Sequence, residues 1–504
     1  MIALLQTAAL PALTKPAIVG VAIAYFVVVA AIGAWATRRT RNANDFFVAG
    51  RRIGVFTLAL AAMAATISGF AFIGGPGFVY GSGFGALYLV LSASITTSMG
   101  AWVLAKRLRL LGEVRGLITI PDAIGARYRS PSAQGLAGVA IIIAVVGYMA
   151  TNILALGLVI DAVFGVGLTP GIWLGMAITL AYSAAGGILA GVYTDVFQGT
   201  LMALASLLVF LFALEAGGAG DGLAGIARTV SAQDPDFFGP WGKLTPIAAL
   251  SLFFVFGLGS LAQPHVVHKF YMLRDARQLK WYPLIMSAAL IVTLLLYFAV
   301  GVAVKSLVVQ GAMAPLARPD DATPLFLLHF TPVLLAALVF SGVAAAIMST
   351  VNSFMSIGAA AVTHDIPKSL GRPVANELLW GRLSTVAISV LAALVAQLSG
   401  TLVVFLGIFG WGLFASTLVP SLAIGLNWPG ATREGAIASI GTGLVITLVF
   451  ETLAYFKAYS FPAGVSVSGL ALVLSFLVFF SVSWLTRNGS GAAIDPDVRM
   501  VMDL

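Results

Sequence analysis

Ala64-Ala65-Thr66-Ile67-Ser68-Gly69-Phe70-Ala71-Phe72-Ile73-Gly74-Gly75-Pro76-Gly77 lies inside an apolar run that extends over 55–80. The run is long enough to cross a bilayer, whose hydrocarbon core takes about 20 helical residues. Its centre nevertheless holds glycines and a proline, which free backbone amides and carbonyls at membrane depth. Such groups are tolerated only where protein or a cavity satisfies them. A second run carries the same punctuation: Phe256-Gly257-Leu258-Gly259-Ser260-Leu261-Ala262-Gln263-Pro264-His265. Paired discontinuous helices, one in each half of a chain, point to a central transporter site. Glycines also permit close helix packing, and Gly69 or Gly259 alone would be read that way. Two clusters in corresponding runs favour a site.

Outward from these stretches the composition is that of a membrane protein. The 504 residues are 60% hydrophobic and 9% charged, with a mean hydropathy of +1.03. An ordinary soluble domain carries about a quarter charged residues. The continuous apolar runs lack the alternation of membrane barrel strands, so the fold class is all-α and integral to the membrane. With no cysteine, disulfides and thiolate metal sites are excluded. His265, His268, His329 and His364 show no ligand spacing, so no resident metal or other cofactor is expected.

Apolar runs between charged or Gly/Pro-rich breaks give about thirteen transmembrane helices. They lie near 16–37, 55–80, 84–105, 134–163, 170–193, 195–216, 244–264, 281–304, 323–361, 379–399, 401–426, 434–455 and 463–485. The broken runs are the second and seventh, the separation that a five-plus-five inverted repeat over spans two to eleven requires. The chain divides into an N-terminal span and loop (1–54), a repeat core (55–426) and two extra spans with a tail (427–504). With the N-terminus outside, twenty-one of the 27 Lys and Arg residues fall on the cytoplasmic side, as the positive-inside rule demands. That count places Arg38, Arg39, Arg41, Arg115, Lys269 and Arg487 inside, and Lys15 and Lys457 outside. Topology thus accounts for the +8 net charge without a nucleic-acid partner. Lipids are the expected surroundings, and oligomeric state is open.

Two polar features stand out in the spans. Ser349-Thr350, after Ala346 in the ninth run, offers two adjacent hydroxyls and a carbonyl to a hard cation. By itself the pair is more simply read as bonding the preceding helical turn. Asp195, at the start of the sixth run, is an intramembrane acid and hence a functional candidate, though Thr194-Asp195 equally suits a helix cap.

Several motifs then resemble the sodium/solute symporter family. Gly186-Gly187-Ile188-Leu189-Ala190-Gly191-Val192-Tyr193-Thr194-Asp195-Val196-Phe197-Gln198 is similar to its GG…TDxxQ motif, and Asn427-Trp428-Pro429-Gly430-Ala431-Thr432-Arg433-Glu434-Gly435-Ala436 to its second signature. Asp45-Phe46-Phe47-Val48-Ala49-Gly50-Arg51 looks like the family's approach to the second span, and Gln263-Pro264-His265 like the sodium/proline symporter branch. The resemblance implies sodium-driven uptake of a small organic solute by alternating access across a plasma (bacterial inner) membrane. It implies a sodium site made by carbonyls of Ala64, Ile67 and Ala346 and hydroxyls of Ser349 and Thr350, with Asp195 on the ion-release path. Substrate contacts would map to Ser68, Gly69, Phe70, Tyr148, Phe256, Ser260 and Gln263.

The pocket departs from the proline pattern. Thr66 stands for an aspartate, Phe70 and Phe256 for tryptophans, and Ser260 for a tyrosine. Amino acids such as proline, monocarboxylates, pantothenate-like acids and sugars all remain open. A transporter-like sensor or receptor and a proton-coupled transporter are the alternatives; no paired acids or metal constellation supports an intramembrane enzyme.

Overall fold

The computed structural model describes residues 16–38, 47–400, 402–489, 491 and 493–503. Lys15, Arg39, Arg41, Asp45 and Phe46, used above, lie outside the described residues. Among the described residues all regular structure is helical, apart from a parallel bridge between Ile53 and Leu273. Among the described residues eleven helical segments are long and apolar enough to cross a membrane, and a shorter apolar helix, Val55–Thr66, accompanies them.

The main helices in chain order are α1 (Pro16–Thr37), α2 (Val55–Thr66), α3 (Gly75–Ser82), α4 (Tyr88–Gly100) and α5 (Ile120–Tyr128). Next come α6 (Pro131–Phe164), α7 (Leu168–Gly218), α8 (Pro246–Gly259), α9 (Pro264–Val267), α10 (Tyr282–Val309) and α11 (Val333–Ala360). The chain continues with α12 (Glu377–Leu398), α13 (Val403–Leu418), α14 (Arg433–Tyr455), α15 (Val467–Thr486) and α16 (Pro496–Met502). The elements that bear the site are central. α11 packs along α7, α6 and α2, while α13 lies against α6 and α8. The pair α14 and α15 leans on α13 from outside, and α1 covers α7 and α11. The short α16 returns to the end of the third span, where Arg115 pairs with Asp495 and Asp497.

Both punctuated runs are broken where their glycines and proline fall. α2 ends at Thr66; Ile67 turns extended (φ −83, ψ 98), and the chain re-enters a wide turn of π-helix over Phe70–Gly74 before α3. α8 passes through one tight turn to Gln263, whose backbone is extended (φ −63, ψ 118) ahead of Pro264. Proline disfavours helical geometry in the residue before it, which accounts for the second break. At the first, a Cβ on Gly69 would stand 2.7 Å from both Ala155 Cβ and Ile347 Cγ1. Only glycine lets α6 and α11 close on the break. A Cβ on Gly259 would likewise lie 2.7 Å from Trp411 Nε1.

One sequence expectation changes. The runs 170–193 and 195–216 belong to a single continuous helix, α7, of 51 residues. At 1.5 Å per residue it measures about 77 Å, more than twice the hydrocarbon core. No proline follows Pro170 in it, and the helical backbone runs on through Gly186-Gly187.

Candidate functional site

The end of α2 leaves its last carbonyls without intrahelical partners, and α11 brings a hydroxyl to one of them. Thr350 Oγ1 donates to Ala65 O at 2.8 Å and to Ala346 O at 3.1 Å. This stitches the break of span two to the middle of α11. Ser349, beside it, is fully buried; its hydroxyl lies next to the Asp195 carboxylate but makes no hydrogen bond of ordinary geometry. Ala64, Ile67, Ala346, Ser349 and Thr350 are thus all at or facing one helix end, with every side chain in the set buried.

The break itself is held by side chains. Ser68 Oγ accepts from the Phe70 amide at 3.2 Å and lies 3.3 Å from Tyr148 Oη. The Gly69 amide donates to Asn152 Oδ1 at 2.9 Å, and Asn152 Nδ2 donates back to Tyr148 O at 2.9 Å. Asn152 and Tyr148 are one turn apart on α6, so this helix clamps the unwound segment.

Beside the break is a small cavity lined by Thr66, Phe70, Tyr148, Phe256 and Trp411, together with Leu89 and Leu290. Phe70 stacks on Phe256 (centroids 5.6 Å apart) and Phe256 on Trp411 (4.9 Å), so three parallel rings form one side. Of the expected substrate contacts, Phe70, Tyr148 and Phe256 line this space, and Ser68 reaches it through Tyr148. Ser260 is turned away, donating to Phe256 O at 2.7 Å. Gly69 is engaged by Asn152, and Gln263 donates to Trp411 O at 3.4 Å, its Oε1 left without a partner. Trp411 and Asn152 were missed in the sequence. The signal for Trp411 was available: membrane tryptophans favour the interfaces, whereas this one is flanked by Gly410 and Gly412 in the middle of a span.

Asp195 is not a helix cap. It lies within α7, fully buried, and pairs with Lys269 Nζ at 3.1 Å. Lys269, 1% exposed, also donates to Ser353 Oγ on α11 at 3.2 Å. The ion pair ties the segment after α9 to α7 and α11. No spacing in the sequence links residues so far apart. The other motif residues are joints of the fold. Gln198 donates to Tyr25 Oη at 2.8 Å, fastening α1 to α7. The buried Arg127 guanidinium donates to Gly425 O, Trp428 O and Ala431 O, and Thr432 caps α14 through the Gly435 amide. Arginine's planar fork suits such a cluster of carbonyls.

A second polar group sits at the Arg115 end of the bundle. His364 bridges Asp122 and Glu377, each at 3.0 Å, and Lys368 reaches Asp122 at 2.7 Å. Burial works to raise the Asp122 carboxyl, but the His364 and Lys368 partners outweigh it and hold the group well below the usual carboxylate range. Ligand atoms of Asp122, His364 and Asp365 lie within 4.8 Å of one another, a proximity that sequence spacing did not disclose. These side chains are engaged by protein partners: Asp122 by Lys368, His364 by Glu377 and Asp365 by Thr119.

With the geometry described, the chain can be set beside known proteins. The profile of the Sodium:solute symporter family matches residues 46–443. The osmoregulated proline transporter OpuE of Bacillus subtilis is 28% identical over 475 residues, covering 93% of this chain and 95% of its own. The high-affinity proline transporter PutP of the same organism is 29% identical over 486 residues (92% and 97%). The sodium/proline symporter of Haemophilus influenzae is 29% identical over 464 residues (88% and 91%). Among solved structures, a substrate-bound, outward-open Na+-coupled sialic acid symporter superposes with a TM-score of 0.72 at 18% identity, over 95% of this chain and 99% of that one. Mhp1, a nucleobase-cation-symport-1 family transporter, does so at 0.55 and 14%, over 91% and 98%. At such identities the two structures speak for a shared transporter fold.

Proposed function

This chain belongs to the Sodium:solute symporter family, and from that premise we propose how its residues couple sodium to a small organic solute. The protein is a multi-pass, sodium-coupled solute symporter with Na+ as coupling ion. In our reading the sodium seat is formed by carbonyls of Ala64, Ile67 and Ala346 with hydroxyls of Ser349 and Thr350. The observation that carries it is the Thr350 bond across the break to Ala65 O. A hydroxyl already held against the exposed carbonyls of α2 is placed to share a cation with them. The seat is neutral, which suits a monovalent ion that must leave in each cycle.

The solute occupies the cavity beside Phe70, Tyr148, Phe256 and Trp411, close enough to the seat for each ligand to favour the state that binds the other. Opening the other way parts α2 from α11 and weakens sodium binding, and Asp195 lies on the release path. Residues 55–426 form the moving core, and 427–504 flanks it. The chain sits in a bacterial inner membrane. Its relatives named as proline transporters make an amino acid one candidate solute, and the apolar pocket makes a monocarboxylate another.

Purified protein in liposomes tests the coupling. Labelled solute is expected to accumulate under an inward Na+ gradient and not under choline, and the S349A/T350A double variant is expected to lose the sodium stimulation. Equal uptake in choline under a pH gradient would transfer the coupling to protons, and binding without accumulation would favour a sensor.

A further inference from the structure

The short helix α5 closes one end of the bundle. Thr119, its N-cap, accepts at its carbonyl from Tyr271 Oη at 2.9 Å and donates through its hydroxyl to Asp365. His268 Nε2 lies 2.8 Å from Ile118 O. At the other end of α5, Tyr128 Oη donates to Ser421 O at 2.8 Å. The segments that follow α9, α11 and α13 therefore all meet this one helix. Between them is a small cavity lined by Thr119, Ile141, His268, Ile357, Ala360 and Asp365. Opening a mouth at this end requires α5 to lift from those partners.

Arg115 lies just before α5 and Arg129 directly after it. Asp495, near the end of the chain, gives one carboxylate oxygen to each, at 2.7 Å and 3.1 Å. Asp497 adds a contact to Arg115 at 2.6 Å. One carboxylate thus ties the two flanks of α5 together. Val498, Val501 and Met502 of α16 are buried as well, but a helix of seven residues does not persist without its partners. The ion pairs are open to water: Arg115 and Asp495 are each 26% exposed, Asp497 33% and Arg129 56%. Pairs of that kind are weak and are screened by salt, whereas Asp195 and Lys269, at most 1% exposed, are beyond the reach of solvent ions. We propose that 495–502 is an ionic strap on α5. It holds this end of the protein shut at low ionic strength and lets go as the ionic strength on that side rises, so salt sets how readily this end opens. The other pair on α5 that solvent reaches is Lys368 with Asp122, and the test tells the two apart.

The chain holds no cysteine, so Ala360→Cys places a single thiol under α5, at a residue 2% exposed. Leu370→Cys, at a residue 69% exposed beyond the end of α11, supplies the reference rate. Each full-length protein is labelled with a maleimide in phosphatidylcholine nanodiscs, without sodium. Choline chloride is raised from about 0.01 M to about 1 M, which shortens the screening length from about 30 Å to about 3 Å. The rate at Ala360→Cys relative to the reference is expected to rise about tenfold over that range. D495N/D497N in the Ala360→Cys background is expected to label about tenfold faster at low salt and to gain nothing more from salt. Arg129→Gln, which removes the most exposed of the four groups, is expected to fall between the two. The charge-swapped R115E/R129E/D495K/D497K is expected to recover both the slow rate and its rise with salt. A wild-type ratio that is flat in salt would overturn the proposal. So would D495N/D497N labelling as slowly as wild type, or a salt response that survives in it, which would move the switch to Lys368. Should D495N/D497N fail to fold, Arg129→Gln decides: labelling equal to wild type at low salt would overturn the strap.

Discussion

Thr350 and Ser349 are neighbours on α11 with different bonding, and that difference separates the folding role of a hydroxyl from its ion-binding role. Thr350→Val keeps the shape of the side chain and deletes a hydroxyl that donates to Ala65 O at 2.8 Å and Ala346 O at 3.1 Å. A buried acceptor left without its donor costs about 1–3 kcal/mol, so the sodium-free protein should lose about that much stability. Ser349 Oγ makes no hydrogen bond of ordinary geometry, so Ser349→Ala should stay within about 0.5 kcal/mol of wild type in choline. Toward sodium the two should behave alike. A bond to a charged partner contributes about 1.5–3 kcal/mol, and at 1.4 kcal/mol per decade each variant should need about 10–150-fold more Na+. Thr350→Ser, which keeps the oxygen, should shift the requirement by less than about fivefold. Thermal unfolding over a sodium titration reads both quantities, because binding to the folded state alone raises its stability with concentration. If both variants unfold normally and retain the wild-type sodium titration, the seat is not where Thr350 and Ala65 meet.

Two further outcomes follow from buried charge. Lys269→Met strands the Asp195 carboxylate and should cost about 3–5 kcal/mol, most of it regained in D195N/K269M; chemical denaturation of the three proteins checks this, and a single variant as stable as the double would refute the pairing. Burial pushes the Asp320 carboxyl up to about 6 from an ordinary 3.8, against the opposing bond from the Val403 amide. The folded state then holds the proton more tightly than the unfolded one. The resulting stability is complete below pH 3.8 and is lost as pH rises through about 6. Asp320→Asn should flatten that part of a Tm-against-pH profile, and an unaltered profile would count against it.

Much of the architecture was legible because membrane spans are governed by length and hydropathy. The broken segments were readable from Gly69, Gly74-Gly75-Pro76 and Gln263-Pro264, since glycine clusters and proline act on the backbone locally. Ser349-Thr350 was ambiguous alone and gained meaning only through a bond to Ala65, 285 positions away. Asp195 misled for the same reason: a Thr-Asp pair at the start of an apolar run satisfies the local rules for a cap, and nothing local announces Lys269. The continuity of α7 was hidden because paired glycines weaken a helix without obliging it to end. Ser260 and Gln263 lie on the right helix, but hydrogen bonds to Phe256 O and Trp411 O turn them from the cavity; side-chain orientation is a tertiary outcome. The bridging of Asp122 and Glu377 by His364 joins three separate elements, so no spacing rule could have found it.

The helix α16 is stapled to the far end of the third span: Arg115 meets Asp495 at 2.7 Å and Asp497 at 2.6 Å, and Arg107 donates to Met502 O at 3.0 Å. A fluorophore placed on α16 would therefore ride with that span rather than trail freely. Paired with a second dye on the loop between α14 and α15, it would report distance changes between the third span and a peripheral hairpin. A bulky fusion at the same place would load that span, so turnover measured with it attached would describe a burdened protein.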